Sequence, residues 1–361
     1  MPKVLILCDH RPSRSPSQRY RFEQYLPYLE KNGFTFTWSF LLDAKDDKIF
    51  YSEGNALNKM QIILRSLRKR KKESKSYKDY DIIFVQREAH FLGTSEFEKK
   101  AFQSGAKVIF DFDDSIWMED TSPGNKKWAW LKKPGKFFDN VSYAHLVIAG
   151  NDYLAQKAKS INKNVLTIPT TIDTDIHVPK PELRNQPAIT IGWSGSISTI
   201  KHFEMILPVL KNLKEKYKEK LRVKIIGQKK YENTSLQVDC AEWSENTEVN
   251  ELNSFDIGIM PLPDDEWARG KCGLKGLSYM ACGVPAVMSN VGVNPQIIDN
   301  GVNGFLVKDE NEWLEVLTKL IGNSDLRKKI GEAGRKTVVE KYSVLANRDK
   351  YLDAFNRVLK L

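Results

Sequence analysis

Two stretches of this chain carry side chains whose types and spacing suit chemistry. The first is Asp111-Phe112-Asp113-Asp114, at the end of the apolar run Lys107-Val108-Ile109-Phe110. In open parallel α/β sheets, ligands gather beyond the carboxyl ends of the strands. Three carboxylates there suit metal binding, orientation of a hydroxyl or acid–base work. Capping of the following segment is the plain alternative. The second stretch is GKCGLKGLSYMACGVPAVMS, Gly270 to Ser289. Gly270-Lys271-Cys272-Gly273 leads into a helical run from Leu274 to Cys282, closed by Gly283 and Pro285, and Ala286-Val287-Met288 reads as a strand. A helix start presents N–H groups without intrahelical acceptors and a partial positive charge, and Lys271 and Lys275 add full charges, which suits a phosphate or diphosphate. An ordinary loop–helix–strand unit with glycine turns is the competing reading. No glycine stands at the spacing a Walker P-loop needs before Gly270-Lys271.

The elements around these stretches alternate strand and helix. Val4 to Cys8 is a central-strand pattern, followed by a loop from Asp9 to Gln18. Arg19-Tyr20-Arg21-Phe22 then opens a helix running to Lys31, and Phe34 to Trp38 is the next strand. The turn lacks G-x-G-x-x-G, so no tightly bound dinucleotide is expected. Arg19 and Arg21 either face a ligand or are solvated helix-start residues. Ile82 to Val85 ends in Gln86-Arg87-Glu88. Leu146 to Ala149 and Val165 to Pro169 complete the first set of strands, and Thr170 to Pro187 reads as a linker. The alternation restarts with Ala188 to Trp193, the loop Ser194-Gly195-Ser196 and Lys201 just beyond it. A helix carrying Ile206, Leu207, Val209, Leu210 and Leu213 follows. Arg222 to Ile226 is a strand ended by Gly227, and Ile257 to Pro261 feeds the acidic loop Asp264-Asp265-Glu266. Asn303 to Val307 and an amphipathic last helix with Tyr351, Leu352, Phe355 and Leu359 end the chain. This pattern predicts an α/β protein of two Rossmann-like, doubly wound domains facing a central cleft. The boundaries fall at 1–175 and 176–341, with residues 342–361 as a further helix.

Bulk properties narrow the function classes. The chain has 361 residues, 41% hydrophobic and 28% charged, which suits folded globular domains. No apolar run approaches the ~20 residues needed to span a bilayer. Met1-Pro2-Lys3-Val4 enters a strand directly, with no signal-peptide pattern, and Cys8, Cys240, Cys272 and Cys282 form no C-x-x-C pair, so a reducing cytoplasm is expected. The histidines show no zinc spacing, and no metal site is expected. The net charge of +10 points to anionic partners. In residues 57–72, Leu57, Met60, Leu64 and Leu67 share a helical face beside Arg65, Arg68, Lys69, Arg70, Lys71 and Lys72. This basic amphipathic helix suits an anionic membrane surface; a solvated charged helix is the alternative. Aromatic residues do not interleave these charges, so nucleic acid is not an expected partner.

The strings IGWSGSISTIK, VKIIG, FDIGIMPL, KCGLKGLSYMACGVPAVMS and NGVNGFLV, in this order, resemble the group 1 (family 4) glycosyltransferases of the GT-B fold. IFDFDD and SQRYRFEQYLPYLEKNG are similar to a bacterial, surface-polysaccharide branch of that family. The resemblance implies a nucleotide diphosphate sugar bound mainly by the second domain, an acceptor bound mainly by the first, and a last helix, 342–361, that crosses back to the first; the basic helix near Leu64 to Lys72 is what suggests a glycan or lipid-linked acceptor. It implies retention at the anomeric carbon, and neither a catalytic metal nor another cofactor. Lys201 occupies the family's diphosphate-binding lysine position. Gly195-Ser196 stands where a glycine–arginine pair is usual, so the work of the arginine passes to Arg269, Lys271 or Lys275. Gly270 and Ser278 stand where a glutamate pair is usual. Ser278 is then a partner for the ribose, and Asp264, Asp265 or Glu266 substitutes at the sugar. Gly227, Trp243, Gly273 and Leu274 complete the expected donor-binding set. Asp113 falls near the position of a histidine that sits by the reacting sugar; with Asp114 it is expected at the acceptor hydroxyl, flanked by Arg19, Arg21 and Arg87. Lys201 and Lys271 are expected to stabilise the leaving diphosphate. A non-catalytic nucleotide-sugar-binding protein that retains the fold is the rival reading, favoured by the missing glutamates.

Overall fold

A computed structural model describes residues 1–118, 131–184, 186–232 and 236–361; Asn185 of the predicted linker lies outside them. The chain divides into two compact units, Met1–Thr170 with Asn347–Leu361, and Thr171–Ala346. No helix among the described residues is long and apolar enough to cross a membrane.

The first unit is built on β1 (Lys3–His10), β2 (Thr35–Leu42), β3 (Ile82–Gln86), β4 (Lys107–Phe112), β5 (Leu146–Ala149) and β6 (Val165–Thr167). They form one sheet in the order β2-β1-β3-β4-β5-β6, parallel throughout. Every residue of β3 and β5 is buried, as strands covered on both faces require, which is why they read as unbroken apolar runs. The strand order reverses between β1 and β3, so the loops after those two strands flank the switch point where such sheets bind ligands.

A buried ion pair fixes the middle of this unit. Arg21 and Asp111 are both fully enclosed, with Arg21 Nη2 2.7 Å from Asp111 Oδ2 and Nε 3.2 Å from Oδ1. Arg21 also donates to the Ile168 carbonyl, and Tyr351 Oη lies 3.5 Å from Asp111 Oδ2. Tyr351 belongs to the final helix, Val344–Val358, and its ring stacks on Tyr25 at 4.2 Å. The segment after β1, the ends of β4 and β6 and the end of the chain therefore meet at one charge pair. This enclosure removes Arg21 from the expected acceptor-binding set and Asp111 from the carboxylates open to a ligand.

The basic helix is α1 (Ala56–Glu73). Its inner face is Ile62 and Ile63, packed with Leu41, Leu42 and Phe91, together with Lys59, Ser66 and Arg70. Arg70 is wholly buried and donates to the carbonyls of Cys8, Ser39 and Ala89 at 2.9, 3.0 and 2.6 Å. Arg65 is bound to Asp46. Leu57, Met60 and Leu64 face outward, 81%, 46% and 45% exposed, with Arg68, Lys71 and Lys72 exposed further along the same helix. The apolar face expected from the sequence is thus largely the outer one, and the core side is carried by the isoleucines.

The second unit contains β7 (Ile189–Ser194), β8 (Leu221–Ile226), β9 (Val238–Ala241), β10 (Ile257–Met260), β11 (Ala286–Ser289) and β12 (Phe305–Val307). Their order is β12-β11-β10-β7-β8-β9, again parallel throughout. The short edge strand β9 has no apolar run and was not expected from the sequence. The helices that matter for the site are α2 (Ile200–Glu204), α3 (Leu207–Tyr217), α4 (Glu266–Arg269) and α5 (Leu274–Ala281). Leu210 and Leu213 of α3 pack with Trp193, Phe203 and Ile225 in the core. Here the order reverses between β7 and β10, and α5 follows β10.

Breaking one side of a buried ion pair strands the other charge, at a cost of ~3–5 kcal/mol. Arg21→Ala and Asp111→Ala are each expected to lower the unfolding free energy by about that amount in urea titrations. A loss below ~1 kcal/mol would show that water or a neighbour compensates.

Candidate functional site

The site in the second unit grows from the carboxyl end of β7. Its frame is Tyr279, a wholly buried residue of α5. The Ser194 N–H donates to Tyr279 Oη at 2.9 Å, and that hydroxyl donates to the Ile259 carbonyl at 3.3 Å. Burial pushes the phenol up, so it stays protonated. One side chain therefore ties the ends of β7 and β10 to the helix between β10 and β11. Gly195 N–H donates to Ile226 O at 2.9 Å, closing the loop onto β8. Gly227, at φ +101°, passes so near that a Cβ on it would lie 2.1 Å from Gly195 O. Only glycine fits there on both counts.

Ser196 starts a short turn, Ile197–Thr199, with its N–H donating to Thr199 Oγ1 at 3.1 Å. The turn hands the chain to α2, which carries Lys201. Trp267 of α4 gathers the cations. Lys271 Nζ lies 3.3 Å above the centre of its ring and Lys201 Nζ 5.6 Å away, within the range of cation–π attraction. Lys275 Nζ lies 5.7 Å from the Trp193 ring. Asp265 caps α4, accepting from Ala268 N at 2.7 Å. Arg269 is paired with Asp264 at 3.1 Å on the exposed side of the loop.

Gly273 precedes α5 in the left-handed region, at φ +71°, and a Cβ there would lie 2.3 Å from Ile297 Cδ1. As the N-cap of α5, Gly273 has no side chain to offer, and the first turn holds no acidic residue. Leu274 and Lys275 thus begin a helix whose N–H groups and dipole favour an anion. Ser278 donates to Leu274 O within its own helix at 2.9 Å, so its hydroxyl proton is engaged while its oxygen can still accept. Trp243 is half-buried two residues beyond β9, and Gly227 N–H donates to Ala241 O at 2.8 Å. Lys201, Lys271, Lys275, Gly273 and Leu274 thus belong to one neighbourhood. Arg269 is committed to Asp264.

Sequence reasoning missed two polar side chains here. His202, beside Lys201 on α2, is 3% exposed, and its ring lies 5.4 Å from that of Trp267. Burial and the charges of Lys275, Lys201 and Lys271 hold its imidazole down to about 4. Gln228, after the close-packed Gly227, has a buried Nε2 without a hydrogen-bond partner among the described residues. Neither has a local sequence signal, because what marks them is their neighbours in space.

In the first unit, Arg87 sits at the end of β3 with φ 60°, and its N–H donates to Asp111 O at 2.8 Å. Its guanidinium is 2.7 Å from Asp113 Oδ1 and 3.7 Å from Asp114 Oδ2. Burial works against its charge, but Asp113 and Asp114 outweigh burial and hold it above its usual value. Asp114 also accepts from Ser115 N at 3.0 Å. Arg19 is half-buried and lies over the Tyr20 ring, 5.0 Å from its centre. Asp9, at the end of β1, is held well above the usual carboxylate range by burial and by Glu88, and Lys136 is bound to Glu88. Among the described residues, no three His, Cys, Asp or Glu side chains are arranged to hold a metal ion.

Residues 188–323 match the family model described as Glycosyl transferases group 1. A capsular polysaccharide biosynthesis glycosyltransferase of Staphylococcus aureus is 27% identical over 183 residues, 47% of this chain and 46% of that protein. A D-inositol 3-phosphate glycosyltransferase of Corynebacterium jeikeium is 34% identical over 86 residues, 23% of this chain and 19% of that protein. Each match thus spans less than half of the curated relative. Among solved structures, a glycosyltransferase of Rickettsia africae superposes with a TM-score of 0.69 at 15% identity, over 99% of this chain and 98% of that one. Anabaena HepE, in complex with UDP and glucose, superposes with a TM-score of 0.67 at 14% identity, over 99% and 100%. The two-domain α/β architecture is that of the GT-B glycosyltransferase structures.

Tyr279→Phe removes both hydrogen bonds of the frame and leaves the Ser194 N–H without its partner. It is expected to lower the unfolding free energy by ~1–3 kcal/mol, read by urea denaturation. An unchanged transition would remove Tyr279 from this role.

Proposed function

We propose that this chain, whose second unit carries the group 1 glycosyltransferase match, moves a sugar from a nucleotide diphosphate sugar to an acceptor hydroxyl. The observation that carries the reading is the convergence of Lys201, Lys271 and Lys275 beside the uncapped start of α5, within the residues that match the family. As the glycosidic bond breaks, negative charge grows on the departing diphosphate. Ammonium groups and backbone N–H groups already in place stabilise that charge more in the transition state than in the bound donor. The lysines supply the positive charge that a divalent cation would otherwise bring, which fits metal-independent transfer. Retention at the anomeric carbon and a role in bacterial polysaccharide or glycoconjugate synthesis extend the family reading. HepE holds UDP, and a uridine diphosphate sugar is the first donor to test here.

Ser278 is proposed to meet the ribose through its free lone pair, and Asp265 the sugar. Gly227, Gly195 and Ser196 let the nucleotide approach the backbone, with Trp243 along the same edge. Acceptor binding falls to the first unit, where Asp113 orients the attacking hydroxyl and Arg87, bound to Asp113 and close to Asp114, holds the two carboxylates in place. The outward Leu57, Met60 and Leu64 of α1, with Arg68, Lys71 and Lys72 beyond them, form a surface for anionic lipid. A cytoplasmic protein resting on the inner face of the membrane, and a lipid-linked acceptor, follow from that surface. The rival, a binding protein without turnover, rests on Gly270 standing where a glutamate is usual.

Purified protein should be stabilised against heat by UDP-glucose or a related diphosphate sugar, and should transfer or slowly hydrolyse it. Lys201→Ala and Lys271→Ala should each lower kcat by ~10²–10³-fold. Thermal stabilisation with no turnover against any acceptor would leave the binding-protein reading. Replacing Arg68, Lys71 and Lys72 by Gln, with Arg70 kept, should weaken co-sedimentation with phosphatidylserine vesicles by up to ~10²-fold, from ~1 kcal/mol per surface charge. Unchanged sedimentation would remove α1 from the membrane role.

A further inference from the structure

Charge accounting at the donor site leaves a gap. Ser196 stands where the family resemblance implies an arginine, and Arg269 is paired with Asp264. His202 has the features of a group waiting for an anion. It is buried to 3% exposure, and its Nε2 has no hydrogen-bond partner among the described residues. A buried polar nitrogen without a protein partner is a cost that native proteins rarely carry unless an ordered water or a ligand meets it. The charged groups that act on it most are Lys275 in the first turn of α5, Lys201 on its own helix α2 and Lys271 in the loop before α5, opposed by Asp265. The Trp267 ring lies against one side, 5.4 Å between ring centres.

We propose that His202 is a further diphosphate-binding residue, which protonates as the donor arrives and donates a hydrogen bond to a phosphate oxygen. It thereby supplies the cation that Ser196 does not. This inference rests on the reading of the second unit as a nucleotide-sugar site. Without a bound anion, burial and then the lysines keep the imidazole neutral across pH 5–8, since its value is lowered to about 4. A diphosphate carries two negative charges into that field, offsets it and raises the imidazole's proton affinity. The proton comes from solvent, the imidazolium N–H faces the phosphate, and no covalent bond changes. The sign of the linkage follows: uptake occurs between pH 4 and the raised value in the complex. Affinity is highest at low pH and falls as pH rises through that raised value. An arginine would give no such dependence, because it is charged throughout.

The test is calorimetric titration of the intact chain with UDP-glucose, a diphosphate diester that does not itself titrate across the pH range used. Measurements at pH 6 in two buffers of different ionisation enthalpy give the number of protons taken up, and a series from pH 5.5 to 8 gives the affinity profile. Wild type should take up a proton. Its Kd should rise with pH, by at most about tenfold per unit. His202→Gln should bind more weakly at pH 6, with a flat profile and no His202-linked uptake; His202→Asn provides a second comparison if glutamine packs poorly. Binding by wild type without proton uptake, or equal uptake in wild type and both variants, would overturn the role of His202 while leaving the donor site standing. No binding of UDP-glucose or other diphosphate sugars by wild type at any pH would overturn both.

Discussion

The hydroxyl of Tyr279 is the hinge pin of the second unit. It accepts from the Ser194 amide and donates to the Ile259 carbonyl from the middle of the helix that follows β10. Everything proposed for the donor depends on that pairing. It sets the height of the Ser194–Ser196 loop, brings Lys201 toward Trp267, and holds the start of α5 beside both. Beyond its strands a parallel sheet supplies few ladder partners, so side chains add to the backbone bonds from Gly195 and Gly227 in placing those loops. Here one buried phenol orders two strand ends at once. Its cost is modest because both of its hydrogen-bonding capacities are met.

Electrostatics in the two units follow opposite logic. In the first, cations are matched as they are buried: Arg21 with Asp111, Arg87 with Asp113 and Asp114, and Arg70 with a set of carbonyls. In the second, three lysines and a neutral histidine crowd one corner, opposed nearby by Asp265. Like charges held together raise the free energy of the empty site and lower that of the occupied one. The aromatic faces of Trp267 and Trp193 soften the repulsion by offering the ammonium groups a weak partner that an incoming phosphate outcompetes.

Much of the fold was legible in the sequence because parallel strands covered on both faces leave unbroken apolar runs. Val4 to Cys8, Ile82 to Val85 and Leu146 to Ala149 are such runs, and each lies in a strand. The edge strand β9 has half-exposed residues and no run, so no pattern marked it. Arginine was the least legible residue type. Arg21 and Arg70 look like surface cations in the chain, yet each is buried against acceptors brought from distant segments. In α1, the mixture of leucines and charges showed amphipathicity but not which stripe turned inward; Ile62 and Ile63 claimed the core and left Leu57 outside. The glycine–lysine entry to α5 was readable from its residue types. His202 was not, because its significance comes from Trp267, far along the chain.

The second unit is inserted within the first. Strand β6 leads to Thr170, the chain runs through the whole of Thr171–Ala346, and Asn347–Leu361 returns to the first unit. The two crossings lie side by side: Ile172 N–H donates to Tyr342 O at 2.9 Å, and Val344 N–H donates to Ile172 O at 3.1 Å. During synthesis the first sheet therefore leaves the ribosome early but waits, without Tyr351 over Tyr25 and Asp111, until the last residues are made. The inserted unit has its full length sooner and can close first. The first unit, though translated first, therefore receives its Asn347–Leu361 segment only after every residue of the second has been made.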